Sequence, residues 1–154
     1  MYPYQHLILG ILFSLILFVI FPEIGLIGVL LIIFSTVLID IDHYFYTSFR
    51  KKNFNFFKIY KWHIKADEKF RKLKRSERNK TFVAWCFLHG LEILLILALA
   101  TFFISHYFIF VLTGFTFHLF LDIVYEKFFI FDDPRKLSII YSFIRKKKLK
   151  HLRF

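Results

Sequence analysis

Eight ionisable side chains stand at the ends of otherwise hydrocarbon stretches of this sequence. His6 opens the first stretch, Asp40, Asp42 and His43 close the second, His89 and Glu92 open a third, and His118 and Asp122 close a fourth. Placing a charged side chain in the middle of a membrane helix costs ~3 kcal/mol on insertion scales, so such groups usually mark function. His118 and Asp122 are four residues apart, while His89/Glu92 and Asp40/His43 are three apart. Each pair would share one face of a helix. Helical bundles build metal centres, binuclear ones included, by delivering imidazoles and carboxylates from several helices to one layer. These donors suit Zn²⁺, Fe²⁺ or Mn²⁺ and do not choose among them, because no thiolate takes part. Taken singly, any of these residues could cap a helix or meet a lysine or a headgroup; the argument for a shared site rests on all four stretches together.

Depth joins them. Measured from Pro22, His6 lies 16 residues away and Asp40 lies 18; measured from Ser105-His106, His89 and Asp122 lie 16 to 17 away. At ~1.5 Å per residue these groups sit roughly 25 Å from one membrane face, close to the opposite boundary. His118 falls about one turn deeper.

The elements that must position them are membrane helices. The chain is 154 residues long, 58% hydrophobic and 22% aromatic, with a mean hydropathy of +0.57, which is more apolar surface than a soluble domain of this size needs. One compact unit is expected. Leu7–Ile39 is too long for a single span, and Pro22-Glu23 near its middle suits the start of a second helix. The expectation is an all-α, integral membrane four-helix bundle made of two helical hairpins, with spans at about 4–21, 23–46, 82–104 and 107–126. Gly90 and Gly114 would allow close helix approach.

Charge orients this bundle. All 22 Lys and Arg fall in two segments, 13 between Arg50 and Lys80 and nine between Lys127 and Arg153. An even number of spans puts both segments and both termini on one side, which the positive-inside rule makes cytoplasmic. The expected location is a cell membrane, crossed several times. Residues 50–80 form a basic interfacial loop in which aromatics alternate with lysines, suited to anionic headgroups; His63 is expected to meet a headgroup there. In the 127–154 tail, Asp132-Asp133-Pro134 reads as a helix start, and Leu137, Ile140, Tyr141 and Ile144 read as the apolar face of a basic amphipathic helix. No specific nucleic-acid partner is expected. Cys86 is the single cysteine, so no intramolecular disulfide can form. The N-terminus lacks the positive region of a signal peptide.

In succession, "QHLILG", "IDIDH", "FLHGLE" and "HLFLD" resemble the motifs of the membrane-bound metal-dependent hydrolases, prokaryotic inner-membrane proteins with a pattern also similar to zinc-dependent phospholipase C. The third motif departs from the family's double-histidine "HRGxTHS": only His89 remains, and Ala84 stands where the first histidine would align. The resemblance implies hydrolysis of an ester or phosphoester, plausibly of membrane lipid, with one or two divalent ions, zinc foremost. It implies His6, Asp42, His43, His89, His118 and Asp122 as ligands, with Asp40 and Glu92 as ligand, orienting group or general base. Two rival readings remain at this level: an ion or proton-coupled transporter, since buried carboxylates and histidines also form relays, and a noncatalytic basic anchor or adaptor. The transporter would need polar groups through both leaflets, and the outer halves of the spans offer only scattered Ser and Thr.

Overall fold

A computed structural model describes residues 1–78, 81–82, 87–130, 138–146 and 150–151. Apart from short turns and one two-residue pairing, these residues are helical. Helix α1 runs over Pro3–Ile20, with Pro3 in the first turn, where its missing N–H costs nothing, and the Gln5 side chain accepting from the Tyr2 amide (3.0 Å). Pro22–Ile24 makes a single 3₁₀ turn. Gly25 follows at φ +64°, a left-handed conformation natural to glycine, and helix α2 covers Gly25–Leu38. The chain breaks for one turn at Ile39–Asp40 and resumes as α3, Ile41–Lys51. The expected second span therefore starts a little later, bends at its acidic end and continues five residues further.

The basic segment expected as an interfacial loop is itself helical. Lys52 reverses the chain at φ 51°, and Asn55 caps α4, Phe56–Lys72, by accepting from the Lys58 amide (3.1 Å). A short α5 follows at Arg75–Arg78. Thr81–Phe82 pairs in parallel with Lys150–His151, tying this segment to the tail. The third span was expected from residue 82, yet α6 covers only Leu91–Phe103. Residues 87–90 bend instead, and Gly90 takes the N-cap position in an extended conformation; residues 83–86 and Ala84 with them lie outside the described residues. Helix α7, Phe108–Tyr125, runs on into a π-helical turn at Glu126–Ile130. Helix α8 is Ile139–Lys146, and the expected helix start at residues 132–134 lies outside the described residues.

Helices α1, α2 and α7 pack against one another and α6 packs on α7. Polarity is reversed relative to a water-soluble protein. Val19, Phe102 and Phe103 are 79%, 84% and 83% exposed, while His6, Asp42, His118, Ser14 and Thr36 are fully buried. Large apolar side chains facing outward over whole helices are expected where the surroundings are lipid. Among the described residues three segments are long and apolar enough to cross a membrane, Pro3–Ile20, Pro22–Lys51 and Phe108–Phe128, and Leu91–Phe103 is apolar but shorter.

Small residues set the helix spacing. A Cβ on Gly114 would run into the Ser35 side chain and lie 2.6 Å from the Ile32 carbonyl oxygen, so α7 touches the α2 backbone there. On α1, Gly10 faces Thr36 in the same way but more loosely, 3.1 Å from its methyl. Apolar packing comes from the half-buried, stacked rings of Phe13 and Phe117, 4.0 Å apart, and from Ile39, Phe115 and Leu119 with Leu88, Leu94 and Leu97 around them.

Candidate metal centre

On α1, His6, Gly10 and Ser14 form the buried stripe; on α7, Gly114 and His118 do, with Asp122 next at the same spacing. Both stripes follow the four-residue repeat of one helix face. The two helices carry His6 and His118 into a stack with ring centroids 3.8 Å apart. Asp122 stands beside both, its Oδ1 3.3 Å from His6 Nε2 and its Oδ2 3.4 Å from His118 Nε2. Among the described residues neither nitrogen of His6 has a hydrogen-bond partner although the ring is fully buried; the Asp122 carboxylate 3.3 Å from Nε2 is an ion-pair contact. The Met1 ammonium reaches the same carboxylate, 3.0 Å from Oδ1.

A second group adjoins the first. The break at Ile39–Asp40 puts Asp40 at the N-cap position of α3. An Asp there ordinarily accepts from the first-turn amides, but this one makes no such bond. Its Oδ1 instead lies 3.5 Å from His89 Nε2, 3.7 Å from His118 Nε2 and 3.8 Å from His43 Nε2. Ligating atoms of His6, His118 and Asp122 lie within 4.8 Å of one another, as do those of Asp40, His43 and His89. His89 Nε2 and His118 Nε2, one from each triad, are 3.3 Å apart.

The outer nitrogens of those two rings fix their tautomers. His118 Nδ1 is 2.7 Å from the Thr36 carbonyl oxygen, which can only accept, so Nδ1 carries the hydrogen. That carbonyl stands at the end of α2, where the Asp40 amide turns to Val37 (3.2 Å). His89 Nδ1 is 3.1 Å from Asp42 Oδ2, and the same oxygen accepts from the Leu88 amide (2.9 Å). Held this way the two Nε2 atoms face each other, and with the rings neutral, as metal binding requires, their lone pairs meet with Asp40 and Asp122 alongside. Four electron-rich atoms converge on one point. No protein family model, curated protein or solved structure matches the chain.

The donor set fits a divalent metal. It combines imidazoles oriented by a carbonyl and a carboxylate, as metal-ligating histidines are, with the carboxylates of Asp40 and Asp122 beside their Nε2 atoms. Buried orphan atoms point the same way: both His6 nitrogens and Asp40 Oδ2 lack partners, and such groups need a reason in a folded protein. Side chains of Asp40, Asp122 and His43 keep 15%, 18% and 25% exposure, so the cluster opens at one side.

Six sequence candidates are thus brought together: His6, Asp40, His43, His89, His118 and Asp122. Asp42 stands behind His89, and its Oδ2 orients that ring. Glu92 is directed elsewhere. Its carboxylate accepts from Ser138 Oγ (2.6 Å) and the Ile139 amide (3.0 Å), capping α8. His63, expected at a headgroup, lies 3.1 Å through Nε2 from the His43 carbonyl and edge-on to the His43 ring. His106 is in the turn before α7, against Tyr107. The Thr36 carbonyl carries no sequence signal, since any residue supplies one.

Proposed function

We propose that this protein is a membrane-embedded, metal-dependent hydrolase that cleaves an ester or phosphoester, in a lipid by preference, at headgroup depth. One observation carries the reading: the Nε2 atoms of His89 and His118 face each other at 3.3 Å while both Nδ1 atoms are committed to acceptors. A divalent ion held there, zinc foremost with iron or manganese as alternatives and one or two in number, would relieve that convergence and would supply Lewis acidity for activating water and polarising a phosphoryl or carbonyl oxygen. The protein's part is to hold His6, His118 and Asp122 as one ligand group and Asp40, His43 and His89 as the other. Asp42 keeps His89 in the ligating tautomer. Asp40 Oδ2, buried and without a partner, is the carboxylate oxygen suited to take a proton during hydrolysis.

The membrane setting supports the substrate class. We infer four crossings, with Leu91–Phe103 as the fourth, and a cytoplasmic side marked by the lysine-rich segments. Helix α4 would then lie in the headgroup layer. Its exposed Phe56, Phe57 and Tyr60 meet the interface, and its lysines meet anionic lipid. The cluster is about 27 Å along the second span from Pro22, level with ester and phosphate groups.

Metal analysis of the purified protein tests this reading. The expected result is one to two equivalents of a divalent transition metal per chain, lost when His118→Ala and Asp122→Ala are combined, together with metal-dependent release of product from phospholipid vesicles. Protein that folds, carries no metal and takes none up would overturn it.

A further inference from the structure

Helix α4 is rich in lysines that face outward, yet one of its cations is drawn in among aromatic rings. The Arg71 guanidinium lies 5.3 Å from the ring centre of Tyr125 and 5.9 Å from that of Tyr2. Its Nη1 donates to the Tyr125 hydroxyl (2.6 Å), its Nε donates to Asp67 Oδ2 (2.8 Å), and Nη2 lies 2.7 Å from the same oxygen in an ion pair. Burial works against the charge, but Asp67 and Tyr125 outweigh it and hold the side chain protonated above its ordinary range. A guanidinium has five N–H groups; two of Arg71's have no partner among the described residues.

The aromatic partners fix where this cation stands. Tyr125 is three residues beyond Asp122 on α7, and Tyr2 is four residues before His6. The guanidinium therefore contacts residues about one helical turn, ~5 Å along the helix axis, outside the His6/His118/Asp122 group at both its α1 and its α7 edge. A tetrahedral oxyanion bound between the two would meet the guanidinium with one oxygen and leave another for a metal held by that group. Planar paired donors against aromatic faces are what phosphate recognition uses, and a lysine does not reproduce them.

We propose that Arg71 is the anion seat of the centre, so that the group it takes is a phosphate, and the substrate or product is a phosphate ester. The inference rests on the metal-dependent reading of the same site. Asp67 is the guanidinium's resting partner, which the phosphate displaces in part. A purely structural latch from α4 to α7 is the competing account, and the two part company on one pair of variants.

The experiment uses the full chain in uncharged detergent micelles, loaded with Mn²⁺, and measures paramagnetic broadening of the ³¹P signal. One arm titrates inorganic phosphate, and the other adds phosphatidic acid to the micelles. Broadening is expected in at least one arm; dependence on Arg71 in the lipid arm alone identifies a headgroup as the source, and in the soluble arm a free phosphate. Arg71→Gln should weaken the affinity at least tenfold with Mn²⁺ content unchanged, and Arg71→Lys, the variant to use if Gln does not fold, several-fold. Asp67→Asn should leave it equal or tighter, because it releases donors. A latch predicts instead that Asp67→Asn and Arg71→Gln behave alike, and that result overturns the proposal, as does Mn²⁺-loaded protein that broadens neither signal. Failure to take up Mn²⁺ is a different failure: it removes the metal centre itself.

Discussion

Each imidazole at the middle of the cluster has one nitrogen committed and one exposed to its neighbour, and the commitments are unequal. His118 leans on a backbone carbonyl that substitution cannot remove, while His89 leans on Asp42. Asp42→Asn should therefore lower affinity for zinc by on the order of 10- to 100-fold, the usual cost of losing a carboxylate behind a ligating histidine, without changing how many ions bind at saturation. A chelator-competition titration reads this directly. Glu92→Gln should leave that titration unchanged and instead loosen α8, seen as faster proteolysis of the C-terminal segment. The sequence shows both acids as candidates but does not assign these roles. His89 and Glu92 share a face only if the helix includes both, and it begins at Leu91. Likewise the sequence does not say which of Asp40 and Asp42 enters the cluster, since the two would face different ways in a continuous helix; with the one-turn break between α2 and α3, Asp40 stands between His89 and His118 and Asp42 stands behind His89. His118 and Asp122 were legible because α7 is unbroken through both.

At the scale of elements, α2 and α7 are held at a distance that Gly114 sets. Gly114→Ala should destabilise the folded protein by ~1–3 kcal/mol, the range for forcing volume into a tight contact, because the nearest obstacle includes the Ile32 backbone carbonyl, which cannot swing aside. Gly10→Ala meets only the Thr36 side chain and should cost less. Thermal unfolding in detergent ranks the two, and metal loss should accompany the Gly114 change, since His118 is one turn away. The apolar spans themselves were legible from hydropathy, and the turn at Pro22 from its proline and acid. The helical character of 56–72 was not read, because lysines alternating with aromatics suit a headgroup loop and an amphipathic helix equally. Asn55 before Phe56 is the cap signal that could have distinguished them.

For the whole molecule, the lysine and arginine asymmetry makes a topological prediction. In a Cys86→Ser background, Glu23→Cys should react with a membrane-impermeant maleimide added to intact cells, and Lys65→Cys only after the membrane is opened. Equal reactivity of the two positions would contradict the assigned orientation. In the proposed topology the two short turns, at Pro22–Ile24 and Ser105–His106, would leave little on the far side for a partner to grip, whereas the near side would carry α3, α4, α5 and α8.

The Ile39, Phe115 and Leu119 packing puts hydrocarbon directly against the cluster, and the Phe13–Phe117 stack adds to it further along α1 and α7. In the proposed membrane setting that hydrocarbon would act as a stopper, leaving Asp40, Asp122 and His43 as the histidines' route to water. On the lipid-hydrolase proposal it would also confine the chemistry to molecules resident in one leaflet, and a lipid in the other would have to flip before it could be reached.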